Sequence, residues 1–164
     1  MKKQIVTILT TAILFTQLGC SSKGFFSTDK RELNALLNTK KAQLYSSVEI
    51  KASLIATYLN TTNKDFKDSE DDMFLISIFI DNDSTDKNNH GLYNKNYSLT
   101  VNGEKPTNVK KLDFEDDLTK SVPVRNFWST YYLVGFKKQN DKKLKMTFKN
   151  DVYGSKDLEF SKEF

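Results

Sequence analysis

Two counts bound the chemistry open to this 164-residue chain: it holds one cysteine, Cys20, and one histidine, His90. A single imidazole excludes every site that needs two. No Gly-x-Ser-x-Gly elbow, HExxH pair or phosphate-binding loop occurs in the sequence. His90 can act as a general base, but it falls within an Asn- and Gly-rich stretch. Cys20 has no second thiol to pair with, so an intramolecular disulfide is ruled out. Hydrolysis by paired carboxylates leaves no linear signature, because the two acids need only meet in space.

Oxygen ligands are more plentiful. Residues 82–95 (NDSTDKNNHGLYNK) form a polar stretch of a length that is disproportionately functional in loops. Asp81, Asp83 and Thr85 begin like a calcium loop, yet Asp86 stands at the glycine position and Leu92 at the terminal acid. A start at Asp86 places Asn88, His90 and Gly91 suitably, and Tyr97 then takes position twelve. Both registers lack the bidentate carboxylate, so a solvated turn is the expectation. Two acidic clusters, Asp68-Glu70-Asp71-Asp72 and Asp113-Glu115-Asp116-Asp117, carry carboxylates whose repulsion a divalent cation would relieve. Exposed acids in water need no such partner. No metal, no cofactor and no catalytic residue is assigned.

The most aromatic segment is 127–137 (FWSTYYLVGFK). As a strand it puts Trp128, Thr130, Tyr132, Val134 and Phe136 on one face, and Phe127, Tyr131 and Leu133 on the other. Tryptophan and tyrosine are enriched at binding hot spots. With rings on both faces, one set is left for a ligand or partner, and Trp128 and Tyr131 are the candidates, one on each face. Elsewhere bases and acids interleave, as in residues 64–68 (KDFKD), and no basic stripe forms, so nucleic acid is not an expected partner.

The start of the chain carries a different signal. Lys2 and Lys3 precede an uncharged, largely apolar run over residues 5–15, and Leu18-Gly19-Cys20-Ser21-Ser22 follows. The run is too short to serve comfortably as a permanent membrane-spanning helix. These residues resemble a bacterial lipoprotein signal peptide, which ends in an apolar residue, two small residues and cysteine. Gly19 and Cys20 match its two most constrained positions, Leu18 is accepted before them, and Gln17 stands where leucine is usual. The resemblance covers residues 1–22. It implies cleavage between Gly19 and Cys20, a thioether-linked diacylglycerol on Cys20, and a further acyl chain such as palmitate on the new amino terminus. At about 0.8 kcal/mol per buried methylene, several chains make a stable anchor. Ser21, in place of aspartate, implies the outer membrane, facing the periplasm or the exterior, rather than retention at the inner membrane. The other reading of these residues is a free thiol beside an ordinary signal-peptidase site. Loss of residues 1–19, with two lysines and no acid, lowers the net charge from +4 to about +2.

The remaining residues must build whatever positions a site. Residues 20–28 read as a tether. A helix is expected over about 29–43, capped by Thr28 or Asp29 with Glu32 completing a capping box, and with Leu33, Leu36, Leu37 and Leu44 on one stripe. From Val48 the period changes to two, and Val48, Ile50, Ala52, Leu54, Ala56 and Tyr58 share a face. Residues 73–80 (MFLISIFI) are apolar on both faces and predict a central strand covered on both sides. Tyr97, Leu99 and Val101 alternate into Asn102-Gly103, a type I′ turn signal, with residues 108–114 as the returning strand. Two further strands follow, around Leu144, Met146 and Phe148 and around Leu158 and Phe160, with lysines and acids on their alternate faces.

About seven strands after one N-terminal helix, without alternating β-α units, predict an antiparallel β-sandwich, immunoglobulin-like or transthyretin-like. Residues 29–164 then form a single domain, with the sandwich over about 48–163. The functional expectation is a noncatalytic, membrane-anchored envelope lipoprotein. Its sandwich would bind an envelope protein or a surface glycan, as an adhesin or as an accessory of an envelope assembly. The alternative is a periplasmic lipoprotein that captures a solute, glycan or calcium, and a small envelope enzyme is the third reading.

Overall fold

The computed structural model describes residues 30–162. The signal peptide, Cys20, the tether and the helix cap at Thr28 or Asp29 lie outside the described residues. Helix α1 (Lys30–Leu37) leads into eight strands: β1 (Thr39–Ser46), β2 (Glu49–Tyr58), β3 (Asp71–Ile80), β4 (Tyr97–Val101), β5 (Asn108–Leu112), β6 (Thr130–Lys137), β7 (Lys143–Asn150) and β8 (Gly154–Ser161). Two single-turn helices, α2 (Leu59–Thr62) and α3 (Asp117–Lys120), interrupt them. All pairings are antiparallel. One sheet runs β1-β2-β3-β6-β5 and the other β4-β7-β8. Relabelling β2 to β8 as A to G gives A-B-E-D facing C-F-G, the strand order of the immunoglobulin constant-type sandwich. β1 adds a fifth strand beside A.

The helix is shorter than the sequence suggests. It ends at Leu37, and residues 39–46 form β1. Pairing with β2 wins over the leucine stripe, because alternation buries Ala42 and Leu44 inside the sandwich. The two-residue turn Ser47-Val48 closes this hairpin, with Ser47 at φ 55°. Asn102 and Gly103 both adopt positive φ, as a type I′ turn requires. That turn makes one bridge, Val101 to Glu104, and no hairpin. Pro106 has no N–H to extend a ladder. Thr107 instead donates from its backbone N to Gly135 O at 2.8 Å, and β5 pairs with β6 in the other sheet.

Two cores result. Between the sheets lie Leu54, Phe74, Ile76, Tyr132, Val134 and Phe136 from one side, and Leu144, Met146, Phe148 and Phe160 from the other. Phe74 contacts the rings of Tyr58, Phe136 and Phe160 at centroid distances of 5.1, 5.7 and 5.2 Å. Each such buried side chain contributes about 1.5–3 kcal/mol. A smaller core lies outside the five-stranded sheet, where Leu59, Leu75, Leu112 and Tyr131 pack under Phe66, Phe114, Leu118 and Val122. β3 is thus covered on both faces over part of its length, as its apolar run predicts.

Among the described residues, one acidic side chain is wholly inside. Asp72 is 0% exposed and accepts from Tyr58 Oη, the Gln139 backbone N and Lys162 Nζ, each at 2.9 Å. Burial and the Asp72 carboxylate together hold the Tyr58 hydroxyl far above its ordinary pKa. Asp72 opens β3, Gln139 precedes β7 and Lys162 follows β8, so this network staples the two sheets together.

Candidate functional site

The outward side chains of β1, β2 and β3 form a grid. Register sets Gln43, Ser53 and Phe79 in one row, and Lys41, Ile55, Ser77 and Tyr131 in the next. The connection from β5 to β6, residues 113–129, crosses this face. Its first part roofs the smaller core, and its last part stands beside the grid without covering it. A cleft of about 590 Å³ remains, floored by Ser53, Ile55, Ser77 and Phe79 and walled by Val124, Asn126 and Trp128. That volume is in the range of small-ligand sites, about 300–1,000 Å³.

The wall is held by specific bonds. Asp116 caps α3 by accepting from Leu118 N at 2.9 Å, and Thr119 Oγ1 donates to Asp113 O at 3.0 Å. The Arg125 guanidinium lies 3.6 Å above the Phe114 ring and pairs with Glu115 at 3.1 Å. Tyr131 Oη donates to Asn126 O and accepts from Asn126 N, both at 2.9 Å. Asn126 Oδ1 in turn accepts from Ser129 N at 2.9 Å. These contacts fix a turn that projects Phe127 and Trp128, 80% and 73% exposed.

The cleft carries a mixed surface. Ile50, Ile55, Phe79, Val124 and Trp128 are apolar, while Gln43, Ser53, Asn126 and Ser129 offer donors and acceptors. Ser77 Oγ is buried and has no hydrogen-bond partner among the described residues. An orphan hydroxyl of this kind costs about 1–3 kcal/mol. The arrangement suits noncovalent recognition of a group that is apolar with a hydrogen-bonding edge.

Trp128 therefore reaches a site, though from a turn and not from the strand. Tyr131 does not: its ring is 2% exposed within the smaller core, and its hydroxyl positions the Trp128 turn. Gln43, Ser53, Ile55, Ser77, Phe79 and Asn126 were not evident as site residues in the sequence. Their one signal is the apolar character of β3 on both faces, which demands a cover that the chain supplies for only part of the sheet.

The other expected ligand groups serve the fold. Asp83 accepts from Gly91 N at 2.7 Å, and from Asn94 Nδ2 and Ser84 N at 2.8 Å. Gly91 has φ 60°, and a Cβ there would lie 2.2 Å from Tyr132 Oη, so glycine is required for the loop to close on β6. His90 Nδ1 bonds the Ser84 carbonyl oxygen at 2.9 Å, with Asp83 Oδ2 3.1 Å away, and Nε2 lies 3.0 Å from Thr130 Oγ1. The His90–Thr130 contact pins residues 82–95 to β6. Of the acidic clusters, Asp71 accepts from Thr107 Oγ1, Asp72 is the buried staple, Glu115 pairs with Arg125 and Asp116 is a cap. Among the described residues, no three His, Cys, Asp or Glu side chains converge on a metal position.

A second cleft, about 430 Å³, lies at the end of the sandwich among Asn82, Asn94, Asn96, Tyr97, Asn150 and Tyr153. Lys51 borders it, its ammonium held above its ordinary pKa by Glu49 at 2.7 Å and Asp81 at 2.9 Å. Among the described residues, no helix is long and apolar enough to cross a membrane. Comparison with family models, curated proteins and solved structures finds no match for this chain.

Proposed function

We propose that this protein is a noncatalytic, lipid-anchored envelope protein whose sandwich binds a partner protein through the cleft beside Trp128. The observation that carries the reading is the half-covered outer face: apolar floor, polar rim, an orphan Ser77 hydroxyl and a projecting tryptophan. An exposed Trp beside an apolar cleft is the composition of a binding hot spot. An aromatic or aliphatic side chain of the partner fills the space over Ile55 and Phe79, and its backbone bonds to the polar groups of Gln43 and Ser53 at the rim. Acyl chains on Cys20 confine the domain to the outer membrane and raise its effective concentration near envelope partners.

Trp128 is the only tryptophan in the chain, so its emission reports this site alone. Peptides selected from a displayed library on the intact protein should shift that emission on titration. Ile55→Lys should weaken their binding at least tenfold. Selected peptides that bind without moving Trp128 emission, and bind Ile55→Lys equally well, contradict the reading.

A second reading, capture of a glycan or polar solute, draws on the asparagine- and tyrosine-lined cleft at the sandwich end. Binding of an oligosaccharide that is lost in Tyr97→Ala and kept in Trp128→Ala would favour it.

A further inference from the structure

Helix α1 is amphipathic in the sense opposite to a helix packed on its own domain. Asn34 and, just past the helix end, Asn38 and Thr39 turn their polar side chains inward. Asn34 Nδ2 donates to Thr61 O at 3.0 Å, Asn38 Nδ2 donates to Asn34 O at 2.9 Å, and Thr39 Oγ1 donates to Ala35 O at 2.7 Å. Asn38 is buried by this arrangement. Leu33, Leu36 and Leu37, spaced i, i+3 and i+4, are 47%, 53% and 55% exposed. A contiguous apolar patch kept outward by polar bonds beneath it marks an interaction surface.

We propose that this leucine face rests on the lipid bilayer to which Cys20 is attached, an inference that depends on the lipid-anchor reading. The ten residues from Cys20 to Asp29 reach at most about 35 Å when fully extended, so α1 is tethered close to the membrane. The same ten residues include Lys23, Phe25 and Phe26, and Lys30 and Arg31 follow: bases and large apolar groups, the composition of segments that lie in a membrane interface. β1 leaves α1 at Thr39 and ends at Ser46, so the far end of the hairpin stands about 25 Å from the helix.

The test uses full-length lipidated protein in phosphatidylethanolamine–phosphatidylglycerol vesicles. An environment-sensitive fluorophore is placed on Leu36→Cys, and in a parallel sample on Val152→Cys, an exposed position in the turn between β7 and β8. The Leu36→Cys label should be quenched severalfold by spin-labelled lipid and little by aqueous iodide, and the Val152→Cys label should show the reverse. A vesicle-bound protein whose Leu36→Cys label is open to iodide overturns this inference and leaves the lipid anchor standing. So does a label shielded from both quenchers, which would mean that a protein or a second copy covers the leucines. A protein that does not float with vesicles overturns the anchor and the inference together.

Discussion

The two outer faces of the sandwich are built on opposite plans. On the three-stranded sheet, β7 alternates Leu144, Met146 and Phe148 inward with Lys143, Lys145, Thr147 and Lys149 outward. Register sets Thr147 opposite Asp157 and Lys145 opposite Glu159, Thr147 Oγ1 donates to Asp157 at 2.7 Å, and Lys145 lies 3.6 Å from Asp157. A face of this kind is suited to solvent and needs no cover. The five-stranded sheet presents Ile55, Leu75, Phe79 and Leu133 on its outer side, and the chain roofs only the half near Leu75 and Leu133. A sheet that needs nothing more is charged; a sheet that needs a cover has one over half its area and a tryptophan at the boundary. The difference is the reason the proposed binding surface is put on the five-stranded sheet.

The contrast holds only while both sheets form one body, and Asp72 is the joint. Asp72→Ala leaves Lys162 and Tyr58 without their shared acceptor and should cost about 3 kcal/mol in urea unfolding. Loss of a single cooperative transition would show that the joint holds the sheets together as well as stabilising them. The next effect compares the faces directly. Phe114→Ala removes the roof's central ring and its Arg125 contact, and should cost about 2–3 kcal/mol. Lys149→Ala on the charged face should change stability by less than about 0.5 kcal/mol.

Titration separates inside from outside. Burial pushes the Tyr132 hydroxyl up to about 12, against about 10 in an unfolded chain. The folded state therefore keeps a proton that the unfolded state releases, and this stability is present below pH 10 and lost as pH rises towards 12. Tyr132→Phe should remove up to about 2 kcal/mol of that alkaline loss, seen as a shallower fall of the unfolding free energy between pH 10 and 12. On the charged face the Thr147 hydrogen bond lowers the Asp157 pKa, which acts in the opposite pH range: stability is lost as pH falls through the acid region. At the open half, Ser77→Ala deletes a buried, unpaired hydroxyl, so it should leave stability unchanged or raise it by up to about 1 kcal/mol.

The sandwich was legible because β2, β7 and β8 alternate cleanly and β3 is a short run apolar on both faces, signals that are local to each strand. β1 was not, because Leu33, Leu36, Leu37 and Leu44 mimic a helical stripe, and pairing with β2 decides the outcome at Thr39. The partner of β5 was hidden too, since Asn102-Gly103 signals a hairpin and only the capture of Thr107 by Gly135 redirects the chain. Trp128 stood out by residue type. Its neighbours did not, because positions 43, 53 and 79 meet only through strand register. Ile55 and Phe79 read as ordinary core residues in any sequence, and nothing local tells which half of a face is roofed. Tyr131 was misplaced for the same reason: adjacent aromatics in a strand look alike until one face is filled.

The most direct test places a photocrosslinking phenylalanine analogue at position 55 on the open half of one outer face, and at position 149 on the other. In intact cells the account predicts a discrete adduct with an envelope protein from position 55, competed by a peptide that shifts Trp128 emission, and none from position 149. Adducts from position 149 alone, or equal adducts from both faces that the peptide does not compete, would contradict it.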